Sequence, residues 1–60
     1  MEKLNNGYAD YYYMLENGNI YDSKEDKVIK PNKKHLFKLR TVNNKISCVA
    51  QRPLYKSVYN

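Results

Sequence analysis

Sixty residues and 7.2 kDa leave room for one small domain, and a chain this short buries only roughly 60% of the surface it exposes when unfolded. Cys48 is the sole cysteine and His35 the sole histidine, which excludes an intramolecular disulfide and a four-ligand zinc site as extra sources of stability. The formal charge is +5, with 42% hydrophobic and 28% charged residues, a balance that suits a folded chain rather than a disordered one.

Taken in chain order, the start Met1-Glu2-Lys3-Leu4-Asn5-Asn6 lacks the basic flank and apolar stretch of a signal peptide. No apolar run approaches the roughly 18 residues of a membrane span. A cytoplasmic protein that does not engage a membrane is therefore expected, and one unpaired cysteine agrees with a reducing compartment. Residues 1–7 are expected to be loose. Tyr11-Tyr12-Tyr13-Met14-Leu15 is a β-favouring run followed by Asn17-Gly18, a strong two-residue hairpin signal because both positions tolerate positive φ. That turn pairs Leu15 with Ile20, Met14 with Tyr21 and Tyr13 with Asp22. Residues 22–26 read as a polar turn, and Lys27-Val28-Ile29-Lys30 as a brief strand stopped by Pro31.

Residues 35–42 alternate Phe37 and Leu39 against Lys38 and Arg40, and Asn43-Asn44 supplies a tight turn before a returning strand over 45–50. This register sets Thr41 against Ile46, Leu39 against Cys48 and Phe37 against Ala50 on an apolar face. Its other face pairs Arg40 with Ser47 and Lys38 with Val49. Beyond it, Pro53 suits a first helical position, and Leu54 and Val58 lie one turn apart. A two-turn helix starting near Arg52 could lay both on the sheet, and it needs that docking to persist. The expected fold is a mainly β, small α+β domain over residues 1–60. It comprises an antiparallel sheet of four to five strands built from two hairpins, with one short C-terminal helix.

Charge is distributed unevenly. The first 26 residues hold all six acids and only Lys3 and Lys24, a net of −4, while residues 27–60 hold nine basic residues and no acid, a net of +9. Such a field fits a polyanion-binding surface, with Lys33, Lys34, Lys38, Arg40, Arg52 and Lys56 as the candidate nucleic-acid contacts. The competing reading is compositional, because Lys outnumbers Arg nine to two and eight asparagines accompany them. Phosphate contacts position a protein without specifying sequence, so weak sequence preference is expected.

Catalytic chemistry has little to stand on. His35 has no acid within eight residues, and the expected register buries Cys48 beside Leu39 as a small hydrophobe. The acids near residues 22–26 lack the glycine and terminal Glu of a calcium loop, and Gly7 and Gly18 are isolated rather than part of a phosphate loop. No enzyme activity, metal or cofactor is expected.

The order of signals from Tyr13 onward resembles the small nuclease-associated modular domain of phage homing endonucleases and related phage proteins. The residues that carry it are Gly18-Asn19-Ile20-Tyr21-Asp22-Ser23, Val28-Ile29-Lys30-Pro31, Leu36-Phe37-Lys38-Leu39 and Arg52-Pro53-Leu54-Tyr55-Lys56-Ser57-Val58-Tyr59. The resemblance implies a module that binds DNA beside a separate nuclease domain, here duplex DNA in the cytoplasm of an infected host. These sixty residues hold no nuclease domain, so the implied role is binding alone. Gln51-Arg52 replaces the family's His-Arg, which leaves the mode of binding open.

A second class competes with DNA binding. An acidic, Tyr-rich half and a basic half also suit a small phage protein that binds or inhibits a host protein, and a third possibility is a structural fragment without activity. One short helix cannot cover both faces of such a sheet, so a two-fold homodimer is expected, formed either by adding edge strands or by burying Tyr12, Met14 and Tyr21 face to face as its interface.

Overall fold

The computed structural model describes residues 1–4 and 7–59 and arranges them as six strands and one helix. Strands β1 (Glu2–Lys3), β2 (Tyr12–Met14), β3 (Ile20–Asp22) and β4 (Lys27–Ile29) form one antiparallel sheet in that order. Strands β5 (Leu36–Arg40) and β6 (Ile46–Ala50) form a separate antiparallel pair, and α1 (Gln51–Tyr59) follows β6 without a loop. The small α+β class, the antiparallel pairing and the C-terminal helix are thus as the sequence reads. The second hairpin makes its own sheet instead of extending the first. No helix among the described residues is long and apolar enough to cross a membrane.

Both hairpin registers differ by one residue from those the two-residue turns imply. Met14 pairs with Ile20 and Tyr12 with Asp22, and in the second hairpin Lys38 pairs with Cys48 and Phe37 with Val49. The reason is the turn. Leu15 N–H donates to Asn19 C=O at 2.8 Å and Gly18 N–H to Leu15 C=O at 3.0 Å, closing a three-residue loop with Gly18 at φ +93°. Thr41 and Lys45 close the second hairpin alike, with bonds of 2.7 and 3.0 Å and Asn44 at φ 64°. This is a type I turn followed by one left-handed residue, which matches strand twist as well as the two-residue turns do. Residues 32–36 repeat the construction ahead of β5, with His35 as the left-handed residue at φ 60°. Glycine, asparagine and histidine tolerate that conformation to decreasing degrees.

A one-residue slip exchanges the two faces of a strand. Met14, Ile20, Phe37 and Leu39 therefore form the centre of the core, each 1% exposed or less, with Leu4, Ala9, Tyr12 and Leu54 around them. Full burial of each such aliphatic or aromatic side chain contributes about 1.5–3 kcal/mol. Two expectations are corrected here. Tyr12 and Met14 are core residues and cannot meet a partner face to face, while Tyr21 points to the opposite side of the sheet with Tyr13. Cys48 is exposed opposite Lys38, not buried beside Leu39.

The sequence implies a loose start to the chain, yet Glu2 and Lys3 pair with Met14 and Tyr13, and Leu4 is buried. Asn5 and Asn6, covered by the same expectation, lie outside the described residues. The two sheets are tied together by the segment after them. Ala9 N–H donates to Arg40 C=O at 3.0 Å, Val42 N–H to Gly7 C=O at 2.7 Å, and Arg40 N–H to the buried Tyr12 hydroxyl at 3.0 Å.

Helix α1 docks through one polar seam. Gln51 Nε2, Tyr55 Oη and Tyr59 Oη donate to the carbonyls of Gly18, Glu16 and Met14 at 2.9, 2.9 and 2.8 Å. Four helical residues advance about 6 Å, so the three donors step along one side of the helix and meet carbonyls at the end of β2 and in the turn that follows it. Pro53 sits in the first helical turn, where no intrahelical donor is lost.

Candidate nucleic-acid interface

Strand β5 sorts its side chains strictly. Phe37 and Leu39 enter the core, and Lys38 and Arg40 point out on the face shared with Ile46, Cys48 and Ala50. Arg40 is held rather than free. Its guanidinium donates to Asn44 Oδ1 at 3.0 Å and Asn44 C=O at 3.4 Å, so the left-handed turn residue also orients the arginine.

Facing β5 across an open cleft of about 870 Å³ are Tyr11 and the β3–β4 turn. Asp22 organises that turn. Its buried carboxylate accepts Lys24 N–H and Glu25 N–H, both at 3.0 Å, which fixes the backbone that carries Lys24 and Lys27. Lys24 Nζ stands 5.5 Å from the Tyr11 ring centroid, and Tyr11 packs on Tyr12 with centroids 4.7 Å apart. Four cations, Lys24, Lys27, Lys38 and Arg40, thus line one concavity together with Tyr11, Asp10 and Glu25. Asp22 lines it too, but its oxygen is spent on the turn.

The six residues expected to contact nucleic acid occupy three places. Lys38 and Arg40 meet in the cleft. Lys33 and Lys34 sit exposed on the turn before β5, outside it, where Asn32 Oδ1 accepts Lys34 N–H at 2.8 Å and Leu36 N–H at 3.0 Å. Arg52 and Lys56 are exposed on α1 and line a separate groove of about 410 Å³ with Glu16, Gln51 and Tyr55. Sequence reasoning missed Lys24, Lys27 and Tyr11 because charge counting leaves them in or beside the acidic half. The available signal was Asp22 at the head of a polar turn, since an Asx turn aims the residues after it in a defined direction.

Burial raises the Tyr12 hydroxyl above the usual tyrosine range, partly offset by the Arg40 N–H it accepts. Tyr21 is raised by its hydrogen bond to Asp26, at 2.5 Å, and Tyr59 by desolvation. Cys48 and His35 do not form a pair. Cys48 lies opposite Lys38 and His35 opposite Gln51, three strand positions away, on the order of 10 Å. Among the described residues no group of three or more His, Cys, Asp or Glu side chains is placed to hold a metal.

Comparison of the chain with protein-family models, with curated proteins and with solved structures gives no match.

Proposed function

We propose that the chain is a small nucleic-acid-binding module, directed at phosphates, weakly sequence-specific and without catalytic activity. The observation that supports it is the cleft that gathers Lys24, Lys27, Lys38 and Arg40 around Tyr11. Cations from distant parts of the sequence converge there on a concave, partly aromatic surface, which suits a sugar–phosphate backbone passing an aromatic ring. The ligand we propose is duplex DNA, met in the cytoplasm of a phage-infected cell, in keeping with the resemblance to nuclease-associated modular domains. Arg40 is the candidate for any base contact, because guanidinium forks read guanine edges.

The test is a mobility shift on duplex DNA at low salt, with Lys38→Glu/Arg40→Glu as the control. Binding by the wild type and loss in the variant, with unchanged far-UV spectra, support the reading. No shift by the wild type overturns it in favour of a protein partner. One observation favours that second reading. Lys3, Tyr13, Tyr21 and Val28 form a cross-strand row on the outer face of the four-stranded sheet, with Val28 half exposed. Tyrosines on an exposed sheet face suit a host-protein interface.

A further inference from the structure

We infer that β6 is a docking edge for a second copy of this chain, paired antiparallel about a two-fold axis at Cys48. The backbone geometry makes the edge available. Thr41 N–H donates to Lys45 C=O at 2.7 Å and Gln51 N–H to His35 C=O at 2.9 Å, which marks the hydrogen-bonded pairs at the two ends of the β5–β6 ladder. Such pairs alternate along an antiparallel ladder, so Ser47 and Val49 direct their backbone groups to β5. Ile46, Cys48 and Ala50 direct theirs the other way. Among the described residues β6 pairs with β5 alone.

Natural edge strands are blunted by charge, proline, a bulge or shortness. Ile46-Ser47-Cys48-Val49-Ala50 has no charge or proline, pairs without a bulge and, at five residues, is as long as any strand in the fold. Its outward side chains are apolar and exposed: Ile46 is 57% exposed, and Cys48 and Ala50 lie beside it.

The occupant is a second copy because the strand is complementary to itself. Antiparallel pairing about Cys48 sets Ile46 against Ala50 of the second copy, large against small, and Cys48 against its own equivalent. Cys48 then exchanges both backbone bonds with that equivalent. Ile46 C=O takes the second copy's Ala50 N–H, while each Ala50 C=O stays with the first turn of its helix. Charge opposes the pairing only weakly. Two β5 strands end up three strand spacings apart, about 14 Å, which exceeds the Debye length of about 10 Å at 0.1 M salt. The product is a four-stranded sheet carrying Lys38 and Arg40 of both copies on one face. The pairing does not depend on nucleic acid being the ligand.

The experiment is sedimentation of the wild type and Ile46→Lys in reducing buffer at tens of micromolar, with far-UV spectra of both. The wild type is expected at twice the single-chain mass and Ile46→Lys at the single-chain mass, both folded. Raising salt should tighten the wild-type dimer only slightly, through screening of the net charge of +5 on each copy. Oxidised glutathione should join two Cys48 thiols, one disulfide forming as two glutathione thiols are released. Pairing holds those thiols about 5.5 Å apart at Cα, inside the disulfide range, so joining should run about tenfold or more faster in the wild type than in Ile46→Lys. Amide exchange gives a readout that needs no variant, because the Cys48 N–H should gain protection with concentration. A wild type at single-chain mass throughout, an Ile46→Lys as dimeric as the wild type, or a concentration-independent Cys48 N–H overturns the inference.

Discussion

The Gln51 side-chain amide donates to Gly18 C=O at 2.9 Å, and the same nitrogen stands 2.9 Å from where a Cβ on Gly18 would lie. One glycine therefore serves two ends. It takes the left-handed φ that closes the first hairpin, and it leaves room for the first residue of α1 to reach the hairpin backbone. Gly18→Ala should cost about 1–2 kcal/mol for the backbone conformation, with a further loss from the close approach to Gln51. Adding Gln51→Ala should recover the second part and not the first. A double-mutant cycle by urea unfolding separates them, and strictly additive single variants would refute the shared role.

The helix seam makes a graded prediction. Tyr59→Phe should lower the thermal midpoint by on the order of a few degrees, since it leaves the part-buried Met14 carbonyl without its phenol donor. Tyr55→Phe should do less, because Glu16 C=O is exposed and water can replace the phenol. Equal effects would contradict this account of how α1 is held.

Tyr12 couples the two sheets and sets an alkaline limit. Its hydroxyl is raised above the ordinary value of about 10 by burial, so the folded state holds that proton more tightly than the unfolded state does. Its contribution is fully present below about pH 10 and is lost as pH rises through the folded-state value. Unfolding free energy should be level from neutral pH to that point and then decline. Tyr12→Phe should reduce the decline, to which the raised Tyr21 and Tyr59 also contribute, and cost about 1–3 kcal/mol at neutral pH, where Arg40 N–H loses its acceptor. Denaturant titrations at a series of pH values would show both effects.

The proposed cleft should weigh its cations unequally with those on the helix. Replacing Lys24 or Lys38 by Ala should reduce the salt slope of duplex binding by about 0.9 for each phosphate that the lysine neutralises. Arg52→Ala and Lys56→Ala, in the other groove, should leave that slope nearly unchanged. Titration of each variant over a range of salt decides it, and a larger effect from the helix pair would move the interface to α1.

Much of the architecture was legible because local chemistry specifies it. Pro53 ahead of Leu54 and Val58 marks α1, Pro31 ends β4, and the alternation around Phe37 and Leu39 identifies β5. Gly18 and the Asn43-Asn44 pair locate both hairpin loops. Loop length was not legible, because a glycine or asparagine at positive φ closes a two-residue turn and a three-residue turn equally well. That single residue of ambiguity exchanged the faces of β2 and β6. It placed Met14 in the core opposite Ile20, where the two-residue turn puts Leu15, and it placed Cys48 in solvent.

Apart from β1, where it implied a loose start, the sequence by itself determined which segments become strands and helix, where they turn, and that the second half is uniformly basic. These properties depend on neighbours a few residues apart. Register, and with it the candidate site, depended on tertiary structure. Tyr12 faces inward because its hydroxyl meets Arg40 N–H across the sheet gap, and the partly buried Val49, not Ile46, packs against the core because the Thr41–Lys45 turn sets β6 one residue along. Lys24 and Lys27 join Lys38 and Arg40 only when the two sheets close on each other. Along the chain the first pair sits beside acids. Packing fastens Asp22 to its own turn and brings the lysines to the cleft, which Asp10 and Glu25 also line.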